Sequence, residues 1–214
     1  MLEDKLPEIV PIFPLSGALL LPRGVLPLNI FEPRYLNMIN DAMANDRIIG
    51  MVQPLRVDDK SEAPEIYRTG CIGRVTAFNE TEDERLLIML TGISRFDCVR
   101  ELPQQNGYRR VVTNYSGFSD DQTPELGDQI DRNRLLDVLR LFLQQNSIEV
   151  EWKAVTALPD EQLIVSLAMT CPFESNEKQA LLECPNLADR SQVLTALLEM
   201  ALQAHGTSNS IRSN

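Results

Sequence analysis

Apolar residues come in short runs through the first half of the chain and at helical spacing through the second. Ile9 to Arg34 (IVPIFPLSGALLLPRGVLPLNIFEPR) holds two strand-like runs cut by Pro11, Pro14, Pro22 and Pro27, and Pro33 follows. Each proline removes a backbone donor, which places these runs at sheet edges or a barrel rim. Pro22-Arg23-Gly24 has the chemistry of a type I turn, with Pro second and Gly fourth. Pro33 suits a first helical position. Tyr35, Met38, Ile39, Ala42 and Met43 then recur at helical spacing up to Asn45-Asp46, and a strand over 48–53 follows.

Cys71 to Phe78 and Arg85 to Thr91 flank a polar stretch, 79–84, and predict a hairpin. Leu86 to Leu90 is continuously apolar, as in a strand covered on both faces. Arg95 to Leu102 alternates, with Phe96, Cys98 and Leu102 on one face and Arg95, Asp97 and Glu101 on the other. A strand over Tyr108 to Tyr115 completes the set. Many short strands with one inserted helix predict a small, partly closed barrel.

Ser116 to Asp128 (SGFSDDQTPELGD) breaks all periodicity and reads as a linker. Beyond it, Leu135, Leu139 and Phe142 form one helical stripe, and Leu163, Ile164, Leu167 and Ala168 a second. Ser175 suits a helix cap before Glu177-Lys178-Gln179, with Pro185 as the stop. Val193, Leu194, Leu197, Leu198, Ala201 and Leu202 form a broad stripe that must face other helices. The expected organisation is a β-rich part over 1–118, a linker over 119–128, a helical part over 129–205 and a disordered polar tail over 206–214.

Four of these segments, in order, carry a resemblance. They are Pro14-Leu15, Leu21-Pro22 and Pro27-Leu28 with the run Phe31-Glu32-Pro33-Arg34-Tyr35; Tyr67-Arg68-Thr69-Gly70-Cys71-Ile72-Gly73-Arg74-Val75; Leu90-Thr91-Gly92-Ile93-Ser94-Arg95-Phe96; and Glu177-Lys178-Gln179-Ala180-Leu181-Leu182-Glu183 with Arg190. Together they resemble the amino-terminal, substrate-recognition domain of the Lon protease family, particularly its stand-alone bacterial members, over roughly residues 8 to 203. The resemblance implies an α+β fold: a PUA-like β pseudobarrel with an inserted helix, followed by an α-helical bundle. It also implies a non-catalytic module for polypeptide clients, unfolded ones among them, working beside a protease or chaperone. The ATPase and Ser-Lys peptidase domains of full-length Lon proteases lie beyond the matched region.

Charge and chemistry narrow the function further. The net charge is −11, with 13 basic and 17 acidic residues before position 121 and 7 and 14 from there on. Both parts would repel a phosphate backbone, which counts against nucleic acid and anionic membrane as partners. That also counts against the rival reading, a PUA-like RNA-binding or RNA-modification accessory. No glycine precedes a lysine, so no phosphate-cradling loop is present. His205 has no neighbouring nucleophile motif, and the acidic loop over 80–84 lacks calcium-loop spacing. No enzyme activity, cofactor or metal is expected. Cys71, Cys98, Cys171 and Cys184 have neither zinc-site nor redox-pair spacing and read as buried free thiols of a cytoplasmic protein.

Two places are candidates for client contact. Ala18-Leu19-Leu20-Leu21 is too continuous for a half-exposed strand. It is either buried on both sides or leaves Leu19 and Leu20 at the surface as a polypeptide-binding patch. Arg34 falls in the first turn of a helix, where a cation opposes the dipole. That implies a specific partner: Glu32 and Arg34 either make an internal ion pair or hydrogen bonds that hold the helix against the barrel, or contact a bound polypeptide.

Overall fold

A computed structural model describes residues 6–59, 61, 63–83, 85–125 and 129–211, with 205–211 as backbone alone. Six strands form one mixed sheet: β1 (Ile9–Pro14), β2 (Val25–Ile30), β3 (Ile48–Val52), β4 (Thr69–Glu80), β5 (Leu86–Gln105) and β6 (Tyr108–Asn114). Helix α1 (Pro33–Met43) is inserted between β2 and β3. The strand order is β2-β5-β4-β3-β1-β6, and β6 pairs again with β5, so five strands close into a ring with β2 alongside. Only β1 and β3 are parallel. The 20-residue β5 makes closure possible. Its first part lies between β2 and β4, and its later part pairs with β6.

β1 is not an edge strand; it has a neighbour on each side. It pairs with β6 over Ile9 to Ile12 and with β3 over Ile12 to Pro14. The Thr113 N–H donates to the Glu8 carbonyl and the Leu15 N–H to the Val52 carbonyl. By alternation, even-numbered residues turn their backbone groups toward β6 and odd-numbered ones toward β3. Pro11 therefore faces the β3 side before that ladder begins, and Pro14 faces the β6 side after that ladder has ended. Neither proline costs a strand hydrogen bond.

Inside the ring, Val10, Ile12, Ile48, Val52, Ile72, Phe96 and Val111 form a shared core. Leu86, Ile88 and Leu90 point inward while Leu87 and Met89 do not, so this run alternates rather than being covered on both faces. A continuous apolar run cannot reveal by itself that one face is left uncovered. On α1, Tyr35, Met38, Ile39 and Ala42 are buried, as their spacing predicts.

The surface alternative for Leu19 and Leu20 is ruled out, since they are 2% and 1% exposed. Two glycines make room for the segment. A Cβ on Gly73 would lie 2.8 Å from Leu20 Cδ2, and one on Gly92 would lie 2.0 Å from the Leu21 carbonyl oxygen. The turn that follows is closed by the Gly24 N–H on the Leu21 carbonyl. Arg23, its third residue, has φ +63°, which is the signature of a type II turn and not the expected type I.

Arg95, expected on an outward face, is 3% exposed and paired with Asp121, 4% exposed, at 2.7 Å. Asp121 also accepts the Arg95 backbone N–H at 2.7 Å, and the guanidinium lies 4.9 Å from the Phe118 ring centroid. Arg23 donates to the Asp121 carbonyl. Ser119–Gln122 is accordingly a 3-10 turn fastened to the strands, not the start of a free linker. Residues 126–128 of that expected linker lie outside the described residues.

The chain divides into two units, Met1–Thr123 and Pro124–Asn214. The second unit is helical: α2 (Arg132–Gln145), α3 (Trp152–Ala157), α4 (Asp160–Thr170), α5 (Ser175–Glu183) and α6 (Leu187–Ile211). α3 has no counterpart in the sequence reading. Glu174, not Ser175, caps α5, in a capping box with Glu177. Arg190 is buried and donates to the Leu181 carbonyl at 2.9 Å and the Cys184 carbonyl at 3.4 Å, so it satisfies the α5 C-terminus. Arg132 pairs with Asp160 and donates to the Thr156 and Leu158 carbonyls at 2.9 Å. The backbone of 206–211 continues α6 where a disordered tail was expected; 212–214 lie outside the described residues. Cys71, Cys171 and Cys184 are buried, and Cys98 is half-buried with its thiol pushed up to about 11, mainly by burial.

Two substitutions test this account by urea unfolding. Asp121→Ala leaves Arg95 as an uncompensated buried charge and should cost about 3–5 kcal/mol. Leu20→Asp places a carboxylate in the core and should cost about 3 kcal/mol or more. Native-like stability of either variant would contradict the packing described.

Candidate polypeptide-binding surface

Strand alternation on β2, β5 and β4 sets an inner and an outer face. Leu28 and Ile30 of β2 are buried, while Val25, Pro27 and Asn29 are exposed. Across the ladder Val25 lies opposite Thr91, Pro27 opposite Met89 and Asn29 opposite Leu87. Val25 is 50% exposed, Leu87 44% and Phe31, just beyond β2, 60%. The Arg85 guanidinium lies 5.8 Å from the Phe31 ring centroid, which joins Phe31 to the β5 end of this surface. The outer face thus carries a row of solvated apolar side chains. Glu82 and Asp83 lie at the hairpin tip beside it; Glu84 of the same acidic loop lies outside the described residues.

Of the residues expected to contact clients, Leu19 and Leu20 are core and contribute nothing to a surface. Glu32 and Arg34 satisfy each other, with Arg34 Nη2 2.9 Å and Nε 3.1 Å from Glu32 Oε2. The Arg34 guanidinium also stacks 4.6 Å from the Tyr35 ring centroid, and Tyr35 packs on Phe13 at 4.2 Å. The internal ion pair is therefore formed, and it leaves both side chains partly exposed. Burial of Tyr35 is the main cause that raises its pKa.

A second feature lies at the carboxyl end of α1. The β5–β6 hairpin turns at Asn106 (φ +49°) and Gly107 (φ +86°). Asn-Gly is a strong two-residue hairpin signal, so this turn is legible in the sequence itself. The turn brings Tyr108 Oη to 2.8 Å, Asn106 Nδ2 to 2.9 Å and Gln105 Nε2 to 3.4 Å from Asp41 Oδ2 on α1. The Tyr108 hydrogen bond, more than the other two, holds the Asp41 carboxyl below the usual range. Burial, then Asp41, pushes Tyr108 up to about 12. Any stability gained by ionised Asp41 is present above the ordinary carboxylate range and is lost as pH falls through its lowered pKa.

Asp41 forms part of the wall of a cleft of about 350 Å³ together with Ile9, Pro11, Asp46, Ile48 and Arg110. No group of three or more possible metal ligands occurs among the described residues. Among them, too, no helix is long and apolar enough to cross a membrane. The His205 side chain lies outside the described residues.

Comparison with known proteins gives these surfaces a context. A family profile described as the ATP-dependent protease La (LON) substrate-binding domain matches residues 9–200. Lon protease 2 of Myxococcus xanthus is 24% identical over 216 residues, covering 99% of this chain and 26% of its own length. The Lon protease of Desulfosudis oleivorans is 26% identical over 218 residues, covering 98% and 26%. The chain thus spans about a quarter of the length of these curated relatives. Among solved structures, the Lon N-terminal domain protein from Xanthomonas campestris has a similar fold, with TM-score 0.62 and 22% identity over 88% of this chain and 97% of that one. The N-terminal domain of the Mycobacterium avium complex Lon protease aligns with TM-score 0.63 and 17% identity over 89% and 98%. From the match over residues 9–200, the chain belongs to the family of the Lon protease substrate-binding domain.

Proposed function

We propose that this chain is a non-catalytic recognition module for polypeptides, unfolded ones among them, acting in the cytoplasm beside a separate protease or chaperone. The observation that carries the reading is the solvated apolar row Val25, Phe31 and Leu87 on the outer face of β2 and β5, in a chain of the substrate-binding family. An unfolded chain exposes apolar side chains, and burying a Val or Leu contributes about 1.5–3 kcal/mol before ordering costs. Half-exposed residues on a preformed sheet supply such area without rearrangement. The Glu32–Arg34 pair, half solvated, supplies a polar rim.

The ring of five strands with a helix inserted between β2 and β3 supports the PUA-like pseudobarrel reading. It does not favour the RNA-binding rival, since a net charge of −11 opposes a phosphate backbone.

The test is titration of a fluorescent, permanently unfolded polypeptide. Val25→Asp with Leu87→Asp should weaken binding about tenfold or more while leaving the melting temperature within about 3 °C, since both are surface positions. Unchanged affinity of the double variant would sink the reading.

A further inference from the structure

The cleft beside Asp41 has the features of a binding subsite. Its floor is the unpaired edge of β1: pairing with β3 begins only at Ile12. By the alternation set by the Glu8–Thr113 hydrogen bond, Ile9 turns its N–H and C=O away from β6 and toward this cleft. Such an edge accepts an extended segment as an added strand. Ile9, Pro11 and Ile48 make the apolar part of the lining, and Asp41, Asp46 and Arg110 the charged part.

The charged groups specify what such a segment would carry. Asp41 receives its three side-chain donors on Oδ2. Asp46 receives the Ile48 N–H on Oδ1, at 3.1 Å. Among the described residues, one oxygen of each carboxylate is thus left to accept from a ligand. Arg110, beside them, donates from one amino group to the Pro103 carbonyl at 3.2 Å.

We propose that this cleft binds an extended polypeptide segment bearing a lysine or arginine side chain. The segment pairs with the Ile9 edge and places its cation between Asp41 and Asp46. This deepens the polypeptide-recognition reading and rests on it: the apolar outer face supplies general affinity, and the cleft adds a preference for basic segments.

The test uses the full chain and two short fluorescent peptides, one alternating valine with lysine and one alternating valine with glutamate. The lysine peptide should bind about tenfold tighter, with affinity falling as salt rises. Asp46→Asn can still accept from the Ile48 N–H, so it should fold normally and weaken the lysine peptide about fivefold. Hydrogen exchange at the Ile9 amide should slow when the lysine peptide is bound; unchanged exchange under saturation would overturn strand addition at this edge. Equal affinity for the two peptides, with unfolded-polypeptide binding intact, would overturn the cleft alone. If the full chain binds no unfolded polypeptide, the recognition reading falls and the cleft with it.

Discussion

The buried pair of Arg95 and Asp121 holds the strand-rich unit in its closed form. Ions removed from water must recover their solvation from fixed partners, and this carboxylate does so fully. It takes the guanidinium at 2.7 Å and the Arg95 backbone N–H at 2.7 Å, with Phe118 stacked on the cation. The pair lies where β5 changes neighbours, between the part aligned with β2, which ends at Thr91, and the part aligned with β6, which begins at Asp97. Arg23 reaches the Asp121 carbonyl from the turn before β2. One cluster therefore ties together the turn into β2, the midpoint of β5 and the segment leaving β6.

That closure leaves two kinds of surface, set by where the prolines stand. Gly24 accepts a hydrogen bond from the Gly92 N–H, so along β2 the residues Val25, Pro27 and Asn29 point their backbone groups to the open edge. Pro27 has no donor there, which blunts the edge against strand addition. The recognition proposed at β2 would then work by burying its outer face. On β1 the unpaired stretch around Ile9 keeps its N–H and looks into a cleft with two carboxylates. One sheet thus presents an apolar face and a polar strand edge, the two surfaces on which the proposed recognition rests.

The helical unit shows the same use of arginine. Arg190 satisfies the carbonyls at the end of α5, and Arg132 those at the end of α3 while it pairs with Asp160. In both cases a guanidinium with several donors closes a helix end that would otherwise leave carbonyls unpaired. The Arg that follows the Glu-Lys-Gln motif at a distance is thereby explained as a structural residue, buried at the end of the helix that the motif begins.

The sequence by itself determined the class of fold, the family and the order of the strands and of the helices other than α3. Periodicity is a local property, so the buried face of α1 and the stripes of α2, α4 and α6 could be read directly from spacing. Proline positions likewise announced strands with unusual pairing, although the reading placed β1 at an edge. Only the tertiary structure decided where Leu19 and Leu20 lie, because their burial depends on Gly73 and Gly92, more than fifty residues away, giving them room. It also decided that Arg95 faces inward, since its partner Asp121 stands in a polar stretch with the composition of a linker. The apolar outer face and the cleft at Ile9 belong to the same class. A residue's type records its chemistry, but exposure and the lack of a partner depend on what the rest of the chain brings beside it.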